Sequence, residues 1–181
     1  MHRVKNIFYG LIFVFLDFNL VFNQSSFDVL PDFAGYLFII GGLIELSRKS
    51  RWFQKARPFA TGMAIYTGII FLLDALGASP VPNTWGSLAL GFISTLVSLQ
   101  VSYDIVMGIR EIEAVENRPL RADALYYSWK IMTVLTCIVY AMIWIPFLNI
   151  VSIIFGLIAG IYFLNSFNKT KNLYCVPVST P

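Results

Sequence analysis

With 181 residues, 57% of them hydrophobic and only 13% charged, the chain is too apolar for a water-soluble domain, in which about 25% of residues carry charge. Its net charge of +3 is a property of short loops, which directs it at anionic lipid headgroups rather than at nucleic acid. The lone histidine, His2, and the distant cysteines Cys137 and Cys175 argue against a zinc site and a disulfide, and no metal or cofactor is expected.

The thirteen lysines and arginines fall in four clusters: Arg3 and Lys5; Arg48, Lys49, Arg51, Lys55 and Arg57; Arg110, Arg118, Arg121 and Lys130; Lys169 and Lys171. Residues 6–47, 58–109 and 131–168 between them hold no cation, and each interval is long enough to cross a bilayer and return. Cationic loops stay on the cytoplasmic side, so the spacing predicts three helical hairpins with both termini inside.

In chain order, the first span is predicted at about 7–22. Asp17 interrupts its apolar run and no A-x-A site follows, so it reads as a retained helix rather than a signal peptide. An exterior turn leads to a second span at 33–46. A basic loop, 47–58, precedes a third span at 59–76, opened by Pro58 because a proline's missing N–H has no partner at a helix start. The fourth span is predicted at 85–107. The neutral stretch 109–130 reads as an extension of that helix, a break at Pro119 and an interfacial segment bearing Tyr126, Tyr127 and Trp129. Residues 131–164 carry no charge and as one helix would run to about 50 Å, against a hydrocarbon core of about 30 Å. Two spans, 131–145 and 149–164, broken near Pro146, return Lys169 and Lys171 to the basic side. Residues 165–181 form a short tail.

An acid inside an apolar span costs about 2.5–3.5 kcal/mol at mid-depth on insertion scales, so each needs a reason. Asp17 shares a helix face with Asn6, Gly10 and Gln24, and that face should look into the bundle. Asp74 closes the third span, Glu45 the second, and Gln100 and Asp104 share a face near the inner end of the fourth. No lysine or arginine lies within a span, so each acid is protonated, hydrogen-bonded, or ionised beside a bound cation. One reading is a cation- or proton-linked pathway through Asp17, Asn19, Asp74, Glu45, Gln100 and Asp104. The other makes Asp74, Glu45 and Asp104 interfacial residues one turn from water. Asp28 and Asp32 give an acidic exterior mouth, but two carboxylates on a turn are a poor cage for a metal ion.

The basic loop, with Arg48, Lys49, Arg51, Lys55 and Arg57 around Trp52, is expected to fix topology and grip anionic headgroups. Small-residue stripes supply helix contact in lipid, and Ser152, Gly156 and Gly160 form one, suited to packing within the bundle or to a homodimer. No histidine lies near the bundle and no glycine-rich phosphate loop is present, so catalysis is not expected.

Three motifs, Leu16-Asp17-Phe18, Leu30-Pro31-Asp32-Phe33-Ala34-Gly35-Tyr36 and Ala56-Arg57-Pro58-Phe59-Ala60, resemble a set of small uncharacterised multipass membrane proteins of Gram-positive bacteria. The likeness covers roughly the first 60 residues, and it implies a location and a fold but no activity. The expectation is therefore an all-α transmembrane bundle of six spans in a bacterial plasma membrane. Its function would be that of a non-catalytic component: a partner subunit, lipid-binding scaffold or sensor. A small permease, or an enzyme on a lipid-linked substrate using Asp28 and Asp32, are the alternatives. Anionic lipids, a membrane-protein partner or a second copy are the expected partners.

Overall fold

A computed structural model of the chain describes residues 3–15, 19–22, 25–28, 32–77, 85–142 and 144–175. Six helices follow one another: α1 (Arg3–Phe15), α2 (Asp32–Leu46), α3 (Arg51–Ala75), α4 (Trp85–Glu116), α5 (Ala122–Ala141) and α6 (Pro146–Cys175). Between α1 and α2 a small antiparallel ribbon pairs β1 (Asn19–Phe22) with β2 (Ser25–Asp28). Each helix packs on the next, and α6 returns to α1, closing a ring.

Four helices, α3 to α6, are long and apolar enough to cross a membrane. At 1.5 Å per residue, the 32 residues of α4 and the 30 of α6 extend to about 48 and 45 Å. By the same measure, α1 and α2, with 13 and 15 residues, reach only about 20 and 22 Å, short of the hydrocarbon core. The expected helix over 7–22 is thus replaced by a shorter helix and a strand. Asn19, a weak helix former, begins that strand, and Asp17 lies outside the described residues.

The outer surface is apolar in stripes at helical spacing: Ile65, Ile69 and Leu72 on α3, Val134 and Ile138 on α5, Ile150, Ile154, Leu157 and Ile161 on α6. Such faces suit lipid. The buried core is lopsided. Ile7 and Leu11, Ile39 and Leu43, Phe53, Ile105, Leu125, Phe163 and Phe167 are all at most 1% exposed. They come from the first turns of α3 and α5, the later parts of α4 and α6, the middle of α1 and the second half of α2. Among the described residues, the fully buried side chains gather toward one half of the ring.

The filled half is the basic half. Lys49 meets Glu116 at 2.6 Å, and Arg118 donates to the Leu173 carbonyl at 3.2 Å. The Lys171 ammonium sits 4.0 Å from the centre of the Phe8 ring. These contacts draw all four cationic clusters to one end, as the sequence spacing predicts.

Three helix boundaries differ from expectation. α3 begins at Arg51 and runs through Pro58, because Ser50 caps it: its hydroxyl accepts the Trp52 N–H at 3.1 Å. The basic residues 51–57 are therefore helical. The chain does break after α4, with Asn117 and Arg121 at positive φ of 47° and 63°. The aromatic residues beyond it lie on the first turns of α5 rather than on a separate segment. The Glu113 carboxylate supports that start by accepting the Ala122 N–H at 2.6 Å. Finally, α6 opens at Pro146, three residues before the predicted 149, and continues to Cys175, so most of the predicted tail is helix.

The closest helix crossing is between α1 and α2. A methyl group added at Gly10 would lie 2.4 Å from the Gly35 carbonyl oxygen, and one at Gly35 would lie 2.9 Å from that of Gly10. By contrast, the Ser152-Gly156-Gly160 stripe makes no tight intrachain crossing. A methyl at Gly160 would meet nothing within 4 Å, and one at Gly156 only Val139 at 3.4 Å. Closeness within the bundle is supplied elsewhere.

Candidate functional site

Where the core stops, a cavity of about 340 Å³ opens among α1 to α5. Its wall on α4 is the face Gly91, Ser94, Thr95 and Ser98, set at helical spacing. Opposite stand Asp32 and Tyr36 from α2, Thr136 and Tyr140 from α5, and Phe15 from α1. A second lobe of about 170 Å³ adds Tyr66, Thr67 and Phe71 from α3 and shares Asp32, Met63 and Ser94 with the first.

The hydroxyls are organised. The Gly91 carbonyl accepts from Ser94 and Thr95 at 2.9 Å each and from Tyr140 at 3.1 Å. The Tyr140 and Thr95 oxygens also stand 2.7 Å apart, so one hydroxyl can donate to the other while the second keeps its bond to the Gly91 carbonyl. Tyr36 reaches across the ring to bond Ser98. These bonds hold two tyrosine rings and three serine or threonine side chains against one carboxylate-bearing space. The floor below is dry: Leu99 on α4 and Ile39 on α2 are 6% and 1% exposed.

Beyond that floor lies a second polar group. Asp104 is fully buried, with Gln100 donating to its Oδ1 at 2.9 Å and the Lys55 ammonium 3.7 Å from the same oxygen. Its Oδ2 is buried with no hydrogen-bond partner among the described residues. Gln100 and Asp104 therefore meet as their spacing predicts. Asp104 is buried in the bundle, and a lysine from outside the predicted spans, Lys55, approaches it. The reason is the early start of α3, which swings Lys55 toward α4 one turn above Arg51.

An aromatic cluster roofs this end. Trp52 meets Tyr103 edge-on at 5.9 Å, Tyr103 meets Trp129 at 5.0 Å, and Trp129 stacks on Tyr126 at 6.1 Å. Trp129 also donates to Ser102 at 3.1 Å. Cations cover the rings, with Lys55 over Trp52 and both Arg110 and Lys130 over Tyr126.

The other sequence candidates scatter. Asp17 lies outside the described residues, and so do the side chains of Asn19, Asp28 and Asp74. Asn19 and Asp28 are nonetheless paired across the ribbon backbone. Glu45 is exposed on the bundle surface. Asp32 was expected at an acidic mouth and instead lines the cavity. Among the described residues, no three histidine, cysteine or acidic side chains gather as a metal site would require.

Of the basic residues, Lys49 is taken up by Glu116, whose hydrogen bond raises the lysine's proton affinity above its ordinary value. It is thereby withdrawn from the headgroup set. Arg48, Arg51 and Arg57 are exposed, and none makes an ion pair with a described residue. A groove of about 390 Å³ runs between Arg51, Trp52, Lys55 and Glu111.

The cavity residues that sequence reasoning missed are Tyr36, Thr95, Thr136, Tyr140 and Tyr66. A signal existed in the hydroxyls of 94, 95 and 98 on α4, but Ser94 and Ser98 read equally well as packing residues.

Fold and site together define a helical bundle of membrane-protein character with a polar cavity in its non-basic half. No protein-family model, curated protein or solved structure matches the chain.

Proposed function

We propose that this chain is a six-span, multipass protein of a bacterial plasma membrane, with the basic end cytoplasmic and α1 and α2 as two short spans. The likeness of its first 60 residues to small Gram-positive multipass proteins supports the location. The basic end, drawn together from four clusters, supports the orientation.

Within that frame the protein acts as a non-catalytic binding component, a receptor or sensor subunit rather than a channel. One observation carries this reading: among the described residues the bundle has a polar cavity at the end away from the basic clusters and apolar packing at the basic end, so the cavity faces outside if the basic end is cytoplasmic. A ligand can enter from outside but has no aqueous route onward. The permease alternative keeps one argument, the carboxylate of Asp32 in the cavity wall.

Thiol accessibility tests the reading. In a background with Cys137 and Cys175 replaced by serine, a membrane-impermeant thiol reagent added outside should modify Ser98→Cys and leave Ile105→Cys untouched. Modification of Ile105→Cys from outside would mean a water path through the packed half, and the permease reading would take over. An unreactive Ser98→Cys would refute the exterior cavity itself.

The basic end is further proposed to hold anionic headgroups through Arg48, Arg51 and Arg57 beside Trp52. A cation near an anionic leaflet contributes about 1 kcal/mol. The triple substitution of those arginines by glutamine should therefore weaken phosphatidylglycerol binding by about 3 kcal/mol. Native mass spectrometry of retained lipid, with phosphatidylcholine as the reference, measures this. Equal retention of phosphatidylglycerol by both proteins would rule the arginines out.

A further inference from the structure

Resting on the reading of the cavity as a binding site, we infer that its ligand is a small organic ammonium ion held by Asp32 and the surrounding tyrosine rings. Charge comes first. Asp32 lines both lobes, and no lysine or arginine lines either. The nearest lysines and arginines in sequence are gathered at the opposite end of the bundle, so an anionic ligand would meet a carboxylate and no lysine or arginine among the described lining residues. The surroundings are a low-dielectric bundle in which a carboxylate's pull on a cation is strengthened.

Size and lining narrow the class. Lobes of about 340 and 170 Å³ exceed what a bare metal ion fills, and a hard ion seeks six or more oxygens, carboxylates among them. Among the described residues Asp32 is the one acid of the lining, and it faces Tyr36, Tyr66, Tyr140 and Phe71. Aromatic faces attract ammonium groups, most strongly where water is excluded. The hydroxyls of Thr95 and Ser98 can accept N–H bonds from a primary ammonium. A neutral polyol could also donate to the carboxylate, but it would draw nothing from the charge of Asp32 or from the cation-attracting ring faces.

The test uses the purified full chain in lipid nanodiscs. Tetramethylammonium and ethanolammonium chlorides are compared with sodium chloride at equal ionic strength, and neopentyl alcohol serves as the neutral analogue. Binding is read by calorimetry and by the thermal midpoint, which a ligand of the folded state raises by mass action. At least one ammonium probe should bind saturably, with sodium inert and the alcohol weaker. Asp32→Asn should weaken that probe at least about ten-fold, as loss of a buried charge partner does.

Asp32 opens α2, so its variant could disturb the fold, and a second variant guards against that. The Ser94 hydroxyl bonds the carbonyl of its own helix, and Ser94→Leu fills the junction of the two lobes. It should abolish binding while the midpoint of the empty protein holds. Two outcomes overturn the inference in distinguishable ways. If the alcohol binds as tightly as the ammonium ions and Asp32→Asn leaves it unchanged, the charge assignment falls while the cavity stands as a binding site. If no probe binds and Ser94→Leu only raises the midpoint, the binding reading of the cavity falls with it.

Discussion

Gly10→Ala is expected to lower stability by about 3 kcal/mol, the upper end of the usual overpacking cost, and Gly10→Val to prevent folding. The added methyl would lie 2.4 Å from the Gly35 carbonyl oxygen and 2.9 Å from the Ile39 backbone nitrogen. Both obstacles are backbone, so no rotamer change relieves them. Ordinary contact begins near 3.4 Å, which means α1 and α2 would have to part by about 1 Å. That separation would loosen Ile7 and Leu11 on one helix and Ile39 and Leu43 on the other, all within the packed half. Lipid offers no hydrophobic drive to recover the contact, because tails are as apolar as leucine. Gly41→Ala is the matched control, since a methyl there meets nothing within 4 Å. It should be neutral or stabilising by up to about 1 kcal/mol through helix propensity. Unfolding in mixed micelles titrated with sodium dodecyl sulfate compares the two. If Gly10→Ala unfolds at the same point as Gly41→Ala, the α1–α2 crossing is not as close as described.

How much of this was legible beforehand depends on the range of the interaction involved. Helix number and the gathering of cations at one end follow from hydropathy and charge along the chain, which are local and repeated many times. The break at Pro146 and the one near Pro119 were also local, because proline's missing N–H acts within one turn. Boundaries failed where a side chain from elsewhere, or a short cap, decided them. Ser50 starts α3 two turns before Pro58, and Glu113 on α4 supports the start of α5. The site was half legible. Gln100 and Asp104 sit one turn apart on one helix, so their contact needed no tertiary knowledge. Lys55 joins them only because α3 crosses α4 at that height. The cavity was illegible for the same reason: Tyr36, Thr95 and Tyr140 come from three helices, and serine or threonine in an apolar span serves packing as readily as binding. Gly10 was read as one member of a polar face with Asp17, whereas its contact with Gly35 is what the fold uses.

The Lys55–Asp104 pair should show a strongly non-additive mutant cycle. Lys55→Met strands a fully buried carboxylate whose Oδ2 already has no hydrogen-bond partner among the described residues. Breaking a buried pair from one side costs 3–5 kcal/mol in general. The Lys55 side chain is 55% exposed and its ammonium stands at 3.7 Å, so solvent screens the pair. A cost of about 2 kcal/mol is expected. Asp104→Asn removes the charge and can keep the Gln100 bond, because an amide oxygen still accepts it. It should cost less than about 1 kcal/mol. Made together, the two substitutions leave no charge to strand, and the Lys55→Met penalty should largely vanish. The resulting coupling of about 1–2 kcal/mol is within the range that contacting residues show. A coupling near zero would mean that Asp104 carries a proton in the folded protein and that Lys55 merely covers Trp52. A full coupling would establish an ion pair beneath the aromatic roof. That pair, joining α3 to α4 below the cavity floor, would then help to keep the inner half of the bundle closed.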